Sequence, residues 1–227
     1  MVISGWGGVV RHFAYFHQHM PEDVIFSALN DSVGWDPVSE EFGKLGARER
    51  WPIPWLEDDP AMWLPQFHVY RWRRDMNLAE QYGCQGVFGI HWRTRIMDAN
   101  AGFFSRRCWE SSLDPKRYFH SFARSLARPQ RSEKLAQVLN ETDRDRLILD
   151  SWSGRIVDGH HEIHEYSGDY DQAFQYWNGY QPPVSLKKSQ AEVARELRSL
   201  TDSAGSVAER ERLNYLARFV EFLVPYS

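Results

Sequence analysis

Four groups of chemistry-bearing residues stand where short apolar runs of the chain end: Trp6; Asn30 and Asp31; Trp55 with Glu57, Asp58 and Asp59; and His91, Trp92 and Arg93. These side-chain types suit work on sugars. Hydrolysis of a glycosidic bond usually needs two carboxyl groups flanking it, one as general acid and the other as nucleophile or as base for a water. Indole faces stack on the apolar side of a sugar ring, while Asn, His and Arg bond its hydroxyls. Glu57 is the first candidate acid, because it follows Trp55 in the run 54–59 and desolvation beside an indole keeps a carboxyl protonated. Asp31, at the end of an apolar run, is the second and Asp58 the third, with Asp58 or Asp59 free to orient a hydroxyl instead. Trp6, Asn30, Trp55, His91, Trp92 and Arg93 form the expected sugar-binding set. Each acid also has a plain structural alternative: Asp31 as a helix cap, and the acidic trio as a solvated turn before Pro60.

Other chemistries find less in the chain. The run 158–165 holds His160, His161 and His164 beside Glu162 and Glu165, but it is not the His-Glu-x-x-His of a zinc hydrolase, and a solvated surface is the better reading. Cys84 and Cys108 lack metal-ligand spacing and imply no disulfide framework. Gly5-Trp6-Gly7-Gly8 is neither a phosphate loop nor a dinucleotide fingerprint, and no Gly-x-Ser-x-Gly elbow occurs. No metal and no cofactor is therefore expected.

Aromatic residues make up 15% of the 227, and eight of the ten Trp fall within the first 109, which places an indole-rich cleft or core in that half. With 27 basic against 31 acidic residues, the net charge of -4 gives no electrostatic reason to expect a nucleic-acid or anionic-membrane partner. The chain has no apolar run of spanning length, and its start lacks the basic and apolar regions of a signal peptide. As written it reads as unexported, although an N-terminal truncation would leave a periplasmic or secreted location open.

Apolar runs alternate with helical patterns through the first hundred residues, as in parallel β/α units. The runs are 2–4, 24–29, 50–55 and 86–90, with helices expected at 9–19 and 66–82, the latter closed by Gly83. The two prolines in 50–55 argue against a central place in a sheet. Asp114-Pro115 starts a further helix. Beyond Pro129 the spacing predicts helices at 132–139 and 143–152, others around 166–180, and a final hairpin opened by capping boxes at Ser189/Glu192 and Ser206/Glu209. The expected architecture is α/β: a partial TIM-like barrel of about four β/α units over 1–128, then an all-helical region over 129–227. A four-stranded, doubly wound sheet is the alternative. Half a barrel leaves strand edges open, so missing N-terminal strands or a homo-oligomer would have to cover them.

The successive segments Ile-Ser-Gly-Trp-Gly, Phe-Ser-Ala-Leu-Asn-Asp, Pro-Ile-Pro-Trp-Leu-Glu-Asp-Asp and Gly-Val-Phe-Gly-Ile-His-Trp-Arg resemble the later strands of barrel glycoside hydrolases in the alpha-glucuronidase and beta-hexosaminidase group. The segments around 114–124 and 211–223 are similar to the closing helix and appended helical region of such enzymes. The resemblance implies hydrolysis of an oligo- or polysaccharide by carboxylate acid/base chemistry. Those enzymes commonly carry a catalytic acid on middle strands, which would precede Met1, so a non-catalytic carbohydrate-binding module is the first alternative. A helical protein-interaction module is the second.

Overall fold

Three short strands rich in β-branched and aromatic residues, β1 (Val2–Ile3), β2 (Ile25–Leu29) and β3 (Arg50–Ile53), pair in parallel and in chain order. Ile3 lies opposite Phe26, and Leu29 opposite Ile53. The computed structural model describes residues 1–31, 36–56, 67–91, 98–143, 149–150, 155–156 and 184–223. A 3-10 turn, Gly7–His12, leads into α1 (Phe13–His19) between β1 and β2. A second, Glu40–Lys44, follows β2 and is capped by Ser39, whose hydroxyl accepts from Glu41 N at 3.3 Å.

The expected fourth run does lie beside β3, held by half a ladder. Phe88 N donates to the Pro52 carbonyl and Ile90 N to the Pro54 carbonyl, both at 3.1 Å. On an extended strand a residue's N–H and C=O face the same side, so the donors these prolines lack are the ones that would have answered. Pairing resumes past the prolines: Leu56 N donates to Ile90 O at 2.8 Å, and Trp55 and Ile90 form a parallel bridge. The prolines were expected to keep β3 from a central place. β3 is the last strand of the three-stranded sheet, and the 85–90 run attaches beyond it because the proline carbonyls still accept.

The side chains of Phe26 and Ala28 point to one face of the sheet, where they pack with Val10, Phe13, Val24, Val38, Phe42 and Leu45. The Phe13 ring lies 5.2 Å from both Phe26 and Phe42. Arg48 fastens this layer: its guanidinium donates to the carbonyls of Pro21 (2.6 Å), Val24 (2.9 Å), Met20 (3.0 Å) and His17 (3.2 Å), and lies 4.5 Å from the Phe26 ring centre. Those acceptors are the end of α1 and the start of β2. Such a buried cation is tolerated because its donors are satisfied.

Six longer helices build the larger core: α2 (Val69–Gln81), α3 (Asp98–Arg107), α4 (Pro115–Leu126), α5 (Pro129–Glu141), α6 (Val184–Asp202) and α7 (Val207–Leu223). One apolar cluster runs from Leu56 and Trp72 through Phe103, Phe119 and Leu135 to Leu213 and Ala217. The expected division at 128 falls between α4 and α5, two helices of this one cluster. Gly83, at φ 68°, sits just past α2 in the left-handed region that a helix end requires. Asp114 caps α4 as expected, accepting from Arg117 N at 3.1 Å ahead of Pro115.

Two expectations about the second half are corrected. Leu149–Asp150 and Arg155–Ile156 form an antiparallel pair, β4 and β5, where a helix was expected over 143–152 and an all-helical region around it. A β-rich Leu-Ile-Leu run followed by Ser153-Gly154 favours that pairing over a helix. Ser189 lies within α6, which begins at Val184, and not at a helix start. The hairpin of α6 with α7 is present, tied by Arg198, which donates to Glu221 Oε1 and to Asn214 Oδ1 at 2.8 Å. Ser206 does cap α7, its hydroxyl accepting from Glu209 N at 3.2 Å.

Glu209 does more than complete that cap. Only 4% exposed, it accepts from Gly205 N (2.9 Å), Arg128 N (2.9 Å) and Arg131 (2.6 Å), joining the start of α7 to the start of α5. The Arg131 guanidinium, helped by the two backbone donors, lowers its carboxyl from 4.5 to about 2. Asp143 has the opposite history. It accepts from Tyr70 N at 3.1 Å at the start of α2, but burial pushes its carboxyl up to about 7.

A depressed carboxyl stabilises the fold above its ordinary value, and that stability is lost as pH falls through the folded value. Glu209→Gln should therefore cost about 3 kcal/mol at neutral pH and flatten acid destabilisation, as read by urea unfolding across pH. A raised carboxyl reverses the sign: its stabilising contribution is full below the ordinary 3.8 and is lost as pH climbs towards 7. Asp143→Asn, which keeps an acceptor for Tyr70 N, should be more stable than the parent at neutral pH. Equal melting temperatures there would refute that.

Candidate functional site

The C-terminal ends of the strands bring Trp6, Asn30, Asp31, Trp55 and His91 of the expected residues to one edge of the sheet. Gly5, just after β1, accepts from Leu29 N at 3.0 Å, which sets Trp6 beside the end of β2. The Trp6 ring lies 6.1 Å from that of Trp55, tilted by 34°. Trp55 is 1% exposed and Trp6 64%, so the pair presents one indole to solvent with the other as its floor. Trp55, expected to face a sugar, is thus covered, and its Nε1 donates to the carbonyl of Asn30 at 3.0 Å.

Asn30 binds the neighbouring elements together. Its backbone N donates to Ile53 O at 3.2 Å, and its Nδ2 to Asp36 O at 3.2 Å and Asp75 Oδ2 at 3.3 Å. Asp75, on α2 and 1% exposed, also accepts from Arg74 Nε at 2.8 Å and from the backbone of Val38. Burial raises the Asp75 carboxyl, against the pull of Arg74 and Arg71. Arg71 in turn donates to the Trp55 carbonyl at 3.3 Å.

Asp31, half-buried, follows directly. It packs so tightly on Gly7 that a Cβ there would come within 2.0 Å of its Oδ1 and 2.8 Å of its backbone N. Only glycine fits that approach. Burial raises the Asp31 carboxyl above its ordinary value and Asp36 raises it further, while Arg11 opposes both. A cavity of about 420 Å³ opens beside it, lined by Gly7, Arg11, Asn30, Asp31, Asp36 and Glu41 among others. The edge therefore offers an exposed indole, a carboxyl raised above its ordinary value, and a hollow of a size that accepts a small ligand.

His91 is exposed at the same edge, one residue beyond Ile90 and its pairing with Trp55 and Leu56. Glu57, Asp58, Asp59, Trp92 and Arg93 lie outside the described residues, as does the His-rich run 158–165. Sequence reasoning missed Arg11, Asp36, Arg71, Arg74 and Asp75. One signal was available: Arg71 and Asp75 stand four apart within the buried stripe of α2 that holds Val69, Trp72, Met76 and Ala79, where charges have to be paired.

Among the described residues no group of three His, Cys, Asp or Glu could hold a metal ion, and no helix is long and apolar enough to cross a membrane. A larger open groove of about 820 Å³ runs along α6, but its described lining is Ala, Ser and charged residues with no aromatic ring. The chain matches no protein-family model, and no curated protein is similar to it.

Proposed function

We propose that the chain is a carbohydrate-processing β/α-barrel portion that hydrolyses glycosidic bonds of an oligo- or polysaccharide, with its site at the C-terminal edge of the parallel sheet. The observation that carries this reading is the exposed Trp6 indole, floored by Trp55, next to Asp31 with its raised carboxyl. The indole offers a face for the apolar side of a sugar ring, and the carboxyl is suited to protonate a leaving glycosidic oxygen. The strand order supports the same reading. Successive parallel segments neighbour one another from β1 to 85–90 without a reversal, as barrel strands do, and barrels gather their reacting groups at this end.

In this reading Asp31 is the general acid and Glu57 the partnering carboxylate, with Asp58 orienting a hydroxyl. Trp6 stacks the ring on its floor of Trp55, and Asn30, His91, Trp92 and Arg93 bond its hydroxyls. No metal or organic cofactor enters the scheme. Further strands, from a longer chain or a second copy, would close the barrel.

The direct test is turnover of a panel of aryl glycosides by the purified protein. Glu57→Gln with Asp31→Asn should abolish it, and Trp6→Ala should weaken binding about tenfold or more through the lost stacking contact. Turnover unchanged in the double variant would remove both acids from the mechanism. The pH profile adds a signed test. A general acid must be protonated, so the basic limb follows the Asp31 carboxyl. Asp36→Asn removes a raising charge and should shift that limb to lower pH, while Arg11→Gln should shift it higher. Shifts in the same direction would exclude Asp31 as the acid.

A further inference from the structure

We infer that the solvent face of α4, with the Trp109 indole at one end, docks an acidic polysaccharide, one bearing sulfate or carboxylate groups. The inference goes beyond the hydrolase reading: it concerns the helical surface rather than the sheet edge, and stands whether or not Asp31 and Glu57 act. The chain as a whole carries -4, but its charge is unevenly laid out. Helix α4 contains Lys116, Arg117 and Arg124 and no Asp or Glu. All three are exposed, as is Arg128 just past the helix end, and Arg212 of α7 joins them by donating to the Ser125 carbonyl at 3.1 Å. The carboxylates in reach do not balance these cations. Glu110 answers both Arg117, at 2.6 Å, and Arg106, at 3.2 Å, while Glu133 pairs with His120. The side chains of Lys116, Arg124 and Arg128 meet no carboxylate among the described residues. Beside Arg128 the surplus shows in the packing: a Cβ on Gly205 would lie 3.0 Å from its Nη1 and 2.9 Å from Arg131 Nη2, so two guanidinia crowd one spot. Glu209, the carboxylate there, is already engaged by Arg131 and by the backbone of Arg128 and Gly205. Cations gathered with too few anions repel one another, and an anionic occupant relieves that repulsion.

Trp109 supplies a second, independent observation. It stands in the turn between α3 and α4 at 93% exposure, so its indole contributes little burial to the fold and leaves a flat apolar face for a partner. A sugar ring stacks on such a face while guanidinia bond its anionic substituents. Single-stranded nucleic acid calls instead for a row of stacking platforms, and α3, α4 and the turn between them fully expose this large ring alone. Duplex nucleic acid carries a charge about every 1.7 Å. Arg117 and Arg124 are seven residues apart, which spaces them about 10 Å along the helix. A polysaccharide with one acid for every sugar or two matches that sparser spacing.

The experiment is equilibrium binding of the full chain, by interferometry, to immobilised dextran sulfate, polygalacturonate, neutral dextran and a single-stranded oligothymidylate. The acidic glycans should bind and neutral dextran should not, with affinity falling as salt rises. Binding of only one acidic glycan supports the inference and identifies sulfate or carboxylate as the group recognised. Lys116→Gln, Arg124→Gln and Arg128→Gln together should weaken binding about tenfold or more. Trp109→Ala should weaken it at high salt as well, where charge is screened. Arg73→Gln, at an exposed cation of α2, should leave it unchanged. Arg124→Gln alone gives a smaller loss of the same kind should the triple variant fail to fold by circular dichroism. Neither acidic glycan binding, equal losses in Arg73→Gln and the triple variant, or oligothymidylate binding more tightly than dextran sulfate overturns the inference.

Discussion

The edge that carries the site depends on one buried amide. Asn30 is the point at which the end of β2 meets Ile53 of β3, the Trp55 indole, the loop at Asp36 and Asp75 of α2. A peptide carbonyl or an indole N–H buried without a partner costs roughly 1–3 kcal/mol. An uncompensated buried carboxylate such as Asp75 costs more, about 3–5 kcal/mol when its partner is removed. Nothing apolar of the same volume answers these donors and acceptors together. That is why a polar residue stands where the apolar pattern of β2 would otherwise continue, and why Trp6 and Asp31 are held within reach of each other.

Much of this edge was legible in the chain. The apolar runs mark the three parallel strands and the 86–90 run that bonds beside β3, and Asn30, Asp31, Trp6, Trp55 and His91 fall at or after their ends because alternation and punctuation are local properties. Which indole faces solvent was not local. It follows from Trp6 closing over Trp55, a contact between segments about fifty residues apart. The hydrogen bond between Asp75 and Asn30, forty-five residues apart, depends equally on how α2 docks, and nothing local to Asp75 announces it. The same limit explains Ser189: the Ser-x-x-Glu pattern recurs by chance, and only the helix start decides whether it caps.

The two prolines of β3 show how a residue can weaken a ladder without ending it. Removing two donors on one side leaves the 85–90 run attached through its own N–H groups alone until Leu56 resumes the exchange. Pairing is thus strongest at the C-terminal end, where Trp55, Leu56 and Ile90 meet and His91 emerges. A half-ladder that tightens towards the site places its rigidity where geometry matters and spares the opposite end of the sheet.

The molecule holds two apolar clusters, and α2 belongs to both. It gives Val69, Trp72, Met76 and Ala79 to the large helical cluster, and Leu78 with Tyr82 to the aromatic one beneath β2. Asp75 and Arg71 sit between these two faces and reach the strand ends. Its first turn is held by Asp143 from the end of α5, and Asn100 of α3 bonds both His68 N at 2.8 Å and Leu56 O at 2.7 Å. A rotation of α2 would therefore strain both clusters at once and pull on Asn30, so the packing of six helices constrains a polar edge that none of the other five touches through Asn30. Position at the site is in this sense a property of the helical core, transmitted by one helix through buried, paired charges rather than by the loops that carry the reacting groups.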